Sequence, residues 1–269
     1  MPTRAFRIAY DGTDYRGFQR QPDVETVEDA IFDALRSLGV LESGAGKPAG
    51  YAAAGRTDAG VSALAQTIAL DGPDWLAPRA LNGELPADVR AWASADAPAD
   101  FHATHDATRR EYAYHLHAPA VADDRFAAAC AALSGEHDFH NLTPDDRHTV
   151  RSPTIEATRD GDYLVVTVTA GGFARELVRR LVSLARAVGT GTAPLEKVDR
   201  VLESEPLPGH EGIQPAPPEP LVLTDVVYPD LEFTIDREAT ERARAVFETL
   251  SIERRTKARV ARAVVDGIE

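Results

Sequence analysis

Apolar residues alternate with polar ones in some segments and recur at helical spacing in others, which predicts a mixed α/β protein. Phe6, Ile8 and Tyr10 share one face of a predicted strand. Helical spacing follows Thr26, a suitable N-cap, and ends at Gly39. By the same criteria, further strands are predicted over 66–70, 89–94, 111–117, 163–169 and 221–228, and further helices over 78–85, 127–133 and 174–188.

The pattern starts afresh near residue 100, which predicts an N-terminal α/β half over 1–100 and a C-terminal half over 101–269. The proline-rich stretch 206–220 is typical of an irregular loop. Beyond Asp230, the charged and alanine-rich run predicts one or two amphipathic surface helices.

The chain has no feature of an exported or membrane-bound protein. Its apolar runs are all far shorter than the roughly 20 residues that a membrane-spanning helix needs. Met1 leads directly into a strand-like segment and not into a signal peptide. The single cysteine, Cys130, has no partner for an internal disulfide and lies in an alanine-rich stretch. These features predict a cytoplasmic location and a buried, inert thiol.

The net charge of −14 is unusual for a nucleic-acid-binding protein, which normally carries a basic surface. Only Lys47, Lys197 and Lys257 among the 29 basic residues are lysines. Abundant carboxylates with almost no lysine favour a protein adapted to a salty cytoplasm, in which acidity solvates the surface. An ordinary acidic enzyme from a GC-rich genome is the alternative.

Residues 54–61, AGRTDAGV, are the segment most suggestive of chemistry. Asp58 lies between Gly55 and Gly60, and glycines allow a sharp turn and close approach by another molecule. A carboxylate held there beside a cation can act as a nucleophile or base. The alternative is that Asp58 only binds the amides of its own turn.

Several stretches, taken in order, resemble the TruA-type tRNA pseudouridine synthases. These stretches are Tyr10–Gln21, Ala54–Val61, 80–89, Phe101-His102, Arg110–Tyr114 and Phe173–Arg179. Agreement of several spaced motifs over roughly residues 5–228 is far more specific than any one of them. The resemblance implies the pseudouridine synthase fold: two similar mixed α/β halves with largely antiparallel sheets, helices on one side and the active-site cleft between them.

The resemblance implies an isomerase that converts uridine to pseudouridine at positions 38–40 of the tRNA anticodon stem-loop. It implies a homodimer with tRNA lying across a basic cleft, and chemistry without a metal or cofactor. In this acidic chain we expect arginines to concentrate in the cleft and carboxylates to cover the outside. Two other hypotheses are a non-catalytic RNA-binding or RNA-folding protein of the same fold, and a hydrolase using Asp58 with a histidine such as His102.

Three catalytic residues follow from the matched motifs. Asp58 corresponds to the nucleophile, which attacks either the base or the sugar. Tyr112 corresponds to the tyrosine that stacks on the target base, whereas Tyr114 is expected in the core. Arg179 corresponds to the arginine that pairs with the carboxylate and keeps it ionised. Arg56 corresponds to the residue that holds the base out of its stack, or else binds a phosphate or carboxylate.

The predicted helix 174–188 has an apolar half and an arginine border. Arg175, Arg179 and Arg186 lie on that border, so their guanidinium groups can reach a cleft. Arg175 and Arg186 are interpreted as phosphate contacts or solvated charges. Thr57, Phe173 and Arg175 join Arg56 and Tyr112 as predicted substrate-binding residues.

The chain also departs from the family pattern. Ser62 and Thr104 replace a usual histidine and a frequent arginine, and Ser183 replaces a common helix glycine. None of them removes the implied chemistry. The histidines of His115-Leu-His117 and of His137–His140 lack the carboxylates or thiols of a recognisable metal site, so no metal is predicted.

Overall fold

The computed structural model describes residues 1–268, and most elements lie where the apolar pattern predicts them. β1 spans Thr3–Tyr10 and α1 spans Val27–Ser37, with Thr26 as an N-cap that accepts from the Asp29 amide. The other elements, in chain order, are β2 (Ala52–Ala53), β3 (Ser62–Asp71), α2 (Pro78–Glu84), β4 (Val89–Ala97), β5 (Arg109–His117), α3 (Asp123–Leu133), β6 (His137–Asp138), β7 (Val150–Arg151), β8 (Thr154–Asp160), β9 (Tyr163–Ala170), α4 (Leu177–Gly189), α5 (Glu196–Leu202), β10 (Leu221–Val227), β11 (Thr234–Ile235) and α6 (Arg237–Gly267).

A nine-stranded sheet organises the molecule, in the order β11-β4-β1-β3-β10-β5-β9-β8 with β2 beside β3. β10 and β3 are parallel, and the other paired strands are antiparallel. β9 alternates as predicted, with Leu164, Val166 and Val168 buried. The mixed α/β class with a largely antiparallel sheet is therefore confirmed.

The centre of the sheet joins the two parts of the chain. β10 pairs with β3 on one side and with β5 on the other, so it links strands from before and after residue 100. The last elements return to the first part, because β11 pairs with β4 and α6 packs against it. The division into halves at residue 100 stays a prediction.

The clearest differences from the sequence prediction concern α4, β8 and α5. α4 begins at Leu177 instead of 174, because Glu176 adopts a left-handed conformation with φ of 61°. β8 was not predicted, because it is a largely exposed edge strand with little apolar alternation. α5 has only Val198 and Val201 as buried residues, too few for a clear helical pattern.

The C-terminal region forms one long helix of 31 residues, α6, rather than two short ones. Its first half is docked, because Ala239 and Ala243 are buried and Thr240 donates to the Trp92 carbonyl. From residue 251 onward every described residue of the helix is exposed. Among residues 1–268, no helix has the combined length and apolarity that would let it cross a membrane.

Candidate active site

The loop 54–61 connects β2 to β3 and is held by contacts on both sides. The Val61 amide donates to the Asp58 carbonyl at 3.1 Å, and Gly60 has φ of 83°, a conformation that glycine adopts without strain. The buried Gln66 side chain donates to the Gly55 carbonyl at 2.9 Å and accepts from the Gly55 amide at 3.3 Å. The loop is therefore fixed at both of its glycines.

The stretch Tyr10–Gln21, the first of those that resemble the family, packs directly against this loop. The Tyr10 hydroxyl and the Thr57 hydroxyl lie 2.7 Å apart in a buried hydrogen bond. A Cβ on Gly12 would lie 2.0 Å from the Val61 carbonyl oxygen, so only glycine fits there. Thr57 is buried and engaged by Tyr10, and its contact with substrate stays a prediction.

Asp58 is joined to α4 by an ion pair. Nη1 of Arg179 donates to Oδ2 of Asp58 at 3.0 Å, and Nε of Arg179 donates to the Ala216 carbonyl at 2.7 Å. The Asp58 side chain keeps 25% of its surface exposed, against 13% for Arg179. Among the described residues its hydrogen-bond partner is Arg179 and not an amide of its own turn, so the carboxylate is oriented by another element while an edge remains accessible.

Two aromatic rings, those of Tyr112 and Phe173, line the same cavity as Asp58 and Arg179. Tyr112 on β5 packs edge-to-face against Phe173, with ring centroids 5.3 Å apart and planes at 85°. Burial raises the pKa of Tyr112 to about 12; nearby Arg110 opposes this shift and Asp58 adds to it. Tyr114, on the same face of β5, is in the core and donates to the Pro217 carbonyl, as expected.

Asp58, Tyr112, Phe173 and Arg179 line an open cleft of about 1700 Å³, hereafter the cleft. Arg56 is exposed on its wall. The cleft is basic although the chain is acidic, as predicted. Eight basic side chains line it against four acidic ones: Arg16, Arg20, Lys47, Arg56, Arg110, Arg151, Arg175 and Arg179, against Glu28, Asp58, Asp145 and Glu176.

The predicted grouping of three arginines on one helix border is wrong for Arg175. Both Phe173 and Arg175 precede α4, because the left-handed Glu176 separates them from the helix. Arg175 still lines the cleft, and its Nε lies 3.4 Å from Oδ1 of Asp145. Arg186 is exposed on α4 and is not among the residues that line the cleft.

Arg110 is a site residue whose importance the sequence did not reveal. Its buried guanidinium donates to the carbonyls of Ala54 at 3.0 and 2.8 Å, Thr104 at 2.7 Å and Gly171 at 2.5 Å. Desolvation lowers its pKa, and no carboxylate lies within 4.0 Å among residues 1–268. Two signals for it are available in the sequence: it begins the matched stretch Arg110–Tyr114, and it lies two residues before Tyr112, on the same face of β5.

The histidines and the cysteine have simpler surroundings. His102 lines the cleft, where its Nδ1 accepts from the Thr104 amide at 3.2 Å. Within residues 1–268, no three His, Cys, Asp or Glu side chains form a group able to hold a metal ion. Cys130 is buried, as predicted, and burial raises the pKa of its thiol to about 12.

Known proteins provide an independent comparison. Residues 129–229 match a family model described as tRNA pseudouridine synthase. The chain is 60% identical to tRNA pseudouridine synthase A of Haloarcula marismortui, over 98% of this chain and 100% of the relative. The corresponding protein of Natronomonas pharaonis is 62% identical, over 97% and 98%. That of Methanocella arvoryzae is 37% identical, over 89% of each chain. A crystal structure of a Cbf5-Nop10-Gar1 complex superposes only weakly, at a TM-score of 0.32 and 15% identity over 68% of this chain and 54% of the other.

Proposed function

The chain belongs to the TruA-type tRNA pseudouridine synthase family, and we propose that it acts on uridines 38–40 of the anticodon stem-loop, with Asp58 as the nucleophile. Synthesis of pseudouridine in tRNA, an isomerase activity, follows from family membership. The haloarchaeal relatives agree with the salt-adapted interpretation of the acidic composition. The target position and the residue roles are our proposal.

The reaction needs a nucleophile that attaches and later leaves. The N1–C1′ glycosidic bond breaks, the uracil rotates, and a new bond joins C5 to C1′. The proton on C5 is released and N1 gains one, so the product is an isomer of the substrate and no external reagent is consumed. Asp58 forms a transient covalent bond either to the base or to the sugar during this exchange.

The ion pair with Arg179 is the observation that carries the assignment to Asp58. A guanidinium 3.0 Å from Oδ2 holds the carboxylate in a fixed direction, so that it is oriented for attack on a bound nucleotide. The Tyr112 ring beside Phe173 offers a surface on which an extruded uracil can stack. Arg56 is exposed in the cleft, and in this proposal its guanidinium occupies the gap that the base leaves in the RNA stack.

The basic lining of the cleft supports RNA as its occupant. Its excess of cationic side chains provides partners for phosphates of the stem-loop. A cleft of about 1700 Å³ accommodates only part of a tRNA, so the rest of the molecule lies outside it. We propose that a second subunit of a homodimer supplies part of the surface that this outer portion contacts, which light scattering of the free protein tests by its mass.

Tritium release tests the role of Asp58. Wild type incubated with tRNA labelled at uridine C5 should release tritium, whereas Asp58→Ala should release none and still bind tRNA. Asp33→Ala, a change of an exposed carboxylate on α1 that pairs with Arg36, serves as the control and should match wild type. Binding by wild type without release would favour the non-catalytic RNA-binding alternative.

The target position is tested separately. Transcripts that retain a uridine at only one of positions 38, 39 and 40 are incubated with wild type, and pseudouridine is located by carbodiimide labelling and primer extension. Stops confined to those positions support the proposal. Stops elsewhere in the tRNA would leave the synthase activity intact and refute the anticodon assignment.

A further inference from the structure

The end of α6 is the densest cationic segment outside the cleft. Residues 254–267, here called the arm, contain five basic side chains and one carboxylate, Asp266. The basic residues are Arg254, Arg255, Lys257, Arg259 and Arg262. This is an exceptional density in a chain of net charge −14, and Lys257 is one of its three lysines. The arm therefore differs from the general surface of the protein.

The arm leaves the body of the protein beside the catalytic loop. Nη2 of Arg254 pairs with the Asp11 carboxylate and donates to the Thr13 hydroxyl at 3.1 Å. Gly12, between them, abuts Val61 at the end of the loop that carries Asp58. At a rise of 1.5 Å per residue, the helix extends about 20 Å beyond Arg254. A ligand that extends out of the cleft at this edge can therefore contact the arm.

The charges of the arm are available to a partner. Every described residue of the arm is exposed. Arg255 pairs with Glu248 and Arg262 with Asp266, but Lys257 and Arg259 have no carboxylate within 4.0 Å among residues 1–268. Concentrated salt screens charges beyond a few ångströms, so these side chains act only through direct contact. Phosphate groups provide such contacts.

A second copy of the helix is the competing occupant, because Ile252, Val260 and Val264 are each more than half exposed. Pairing two arms would bring Lys257 and Arg259 of one copy close to the same two side chains of the other, and neither has a carboxylate within 4.0 Å among residues 1–268 to offset the repulsion. RNA supplies the opposite charge. We propose that the arm binds the phosphate backbone of tRNA outside the segment held in the cleft. This inference rests on tRNA being the substrate.

The test compares two double variants with the same change of charge. Lys257→Gln/Arg259→Gln removes two exposed cations from the arm. Arg237→Gln/Arg244→Gln removes two exposed arginines from the docked half of the same helix and is the control. Kinetics and filter binding are measured with full-length tRNA and with an isolated anticodon stem-loop over a range of KCl concentrations.

For the arm variant we expect KM and Kd for full-length tRNA to rise about tenfold with kcat unchanged. The slope of log affinity against log salt should fall by about two, one for each lost phosphate contact. Values for the isolated stem-loop and for the control variant should match those of wild type. Light scattering should give both variants the mass of wild type.

Three results separate this inference from the proposed function. If wild type modifies both RNAs and the arm variant behaves like the control, the arm does not bind tRNA. A mass below that of wild type for Val260→Asp/Val264→Asp, which removes the exposed apolar side chains that would pair, would assign the arm to a second copy and overturn the inference. If wild type modifies neither RNA but binds full-length tRNA more tightly than the arm variant, the arm proposal stands and the proposed catalytic function fails.

Discussion

Arg179 holds Asp58 and Ala216 with different nitrogens of one guanidinium, at 3.0 Å and 2.7 Å. The bond from Nε to the Ala216 carbonyl prevents the guanidinium group from rotating. Nη1 therefore keeps a fixed direction toward Oδ2 of Asp58. Asp58 and Arg179 lie 121 residues apart in sequence, so the ion pair also connects the loop 54–61 to α4. The carboxylate is in this way oriented before substrate arrives.

Arg179→Lys should lower kcat while the protein remains folded. A lysine ammonium is a point charge that cannot hold Oδ2 of Asp58 and the Ala216 carbonyl oxygen with the same geometry. Since a hydrogen bond to a charged group contributes about 1.5–3 kcal/mol, we expect a loss of about 10- to 100-fold. Single-turnover tritium release measures it. Arg186→Lys, an exposed change on the same helix, should have wild-type kinetics, and equal loss in both variants would contradict the argument.

Arg110→Lys should destabilise the fold. The guanidinium of Arg110 donates to the carbonyls of Ala54, Thr104 and Gly171, from three segments that meet at the cleft, and an ammonium cannot reach all of them. Leaving the buried Ala54 carbonyl unsatisfied costs about 1–3 kcal/mol of unfolding free energy. Urea denaturation measures the change. Arg109→Lys, on the neighbouring exposed position of β5, is the matched control and should shift stability by less than about 0.5 kcal/mol.

The spacing of apolar residues predicted the strands and helices in which that spacing is regular. Contacts between residues distant in sequence determine the remaining elements and bounds. The start of α4 is the clearest case. The Arg175 amide donates to Oδ2 of Asp145 at 2.8 Å, and its carbonyl accepts from the Thr143 hydroxyl at 2.9 Å. These bonds hold residues 171–176 as a loop although their apolar spacing continues that of the helix. The periodicity of apolar residues contains no information about a hydrogen-bond partner 30 residues away.

The residues of the candidate site were also predicted only in part. The resemblance anticipated that Asp58 and Arg179 would meet. It did not reveal that Gln66 and Arg110 hold the surrounding loops, because both act mainly on backbone carbonyls and amides. Carbonyls are present at every residue and leave no trace in the sequence. Such supporting residues become visible only when the fold is known.

Gly12→Ala should damage both stability and activity. The new Cβ would lie 2.0 Å from the Val61 carbonyl oxygen and 2.5 Å from its carbon, so the loop 54–61 must shift. Overpacking of this kind costs about 1–3 kcal/mol, and kcat should fall with it. Thermal unfolding and tritium release measure the two effects.

Gly83→Ala provides the control for that change. Nothing lies within 4 Å of a Cβ at Gly83, which is in α2, so alanine there should raise stability by up to about 1 kcal/mol. Activity should be that of wild type. Full activity in Gly12→Ala would mean that the loop tolerates displacement and that its close packing is not required for catalysis.

Tyr112 should act through its ring and not through an ionised hydroxyl. Because burial raises the pKa of Tyr112 to about 12, the phenol is neutral at physiological pH. Tyr112→Phe should therefore keep kcat within a few-fold, whereas Tyr112→Ala should lose about 10- to 100-fold with the stacking surface. An inactive Tyr112→Phe would instead assign chemistry to the hydroxyl.

The same pKa shift predicts how alkaline pH affects stability. The folded pKa of Tyr112, about 12, exceeds the ordinary value of 10.0, so its protonated form stabilises the fold fully below pH 10. That contribution is lost as pH rises from 10 to 12, at up to about 1.4 kcal/mol per pH unit, because only the unfolded chain ionises. Tyr112→Phe has no such group and should lose less stability over this range. Urea titrations of both proteins at pH 9, 10 and 11 measure the difference, and parallel losses would show that Tyr112 ionises equally well in the folded protein.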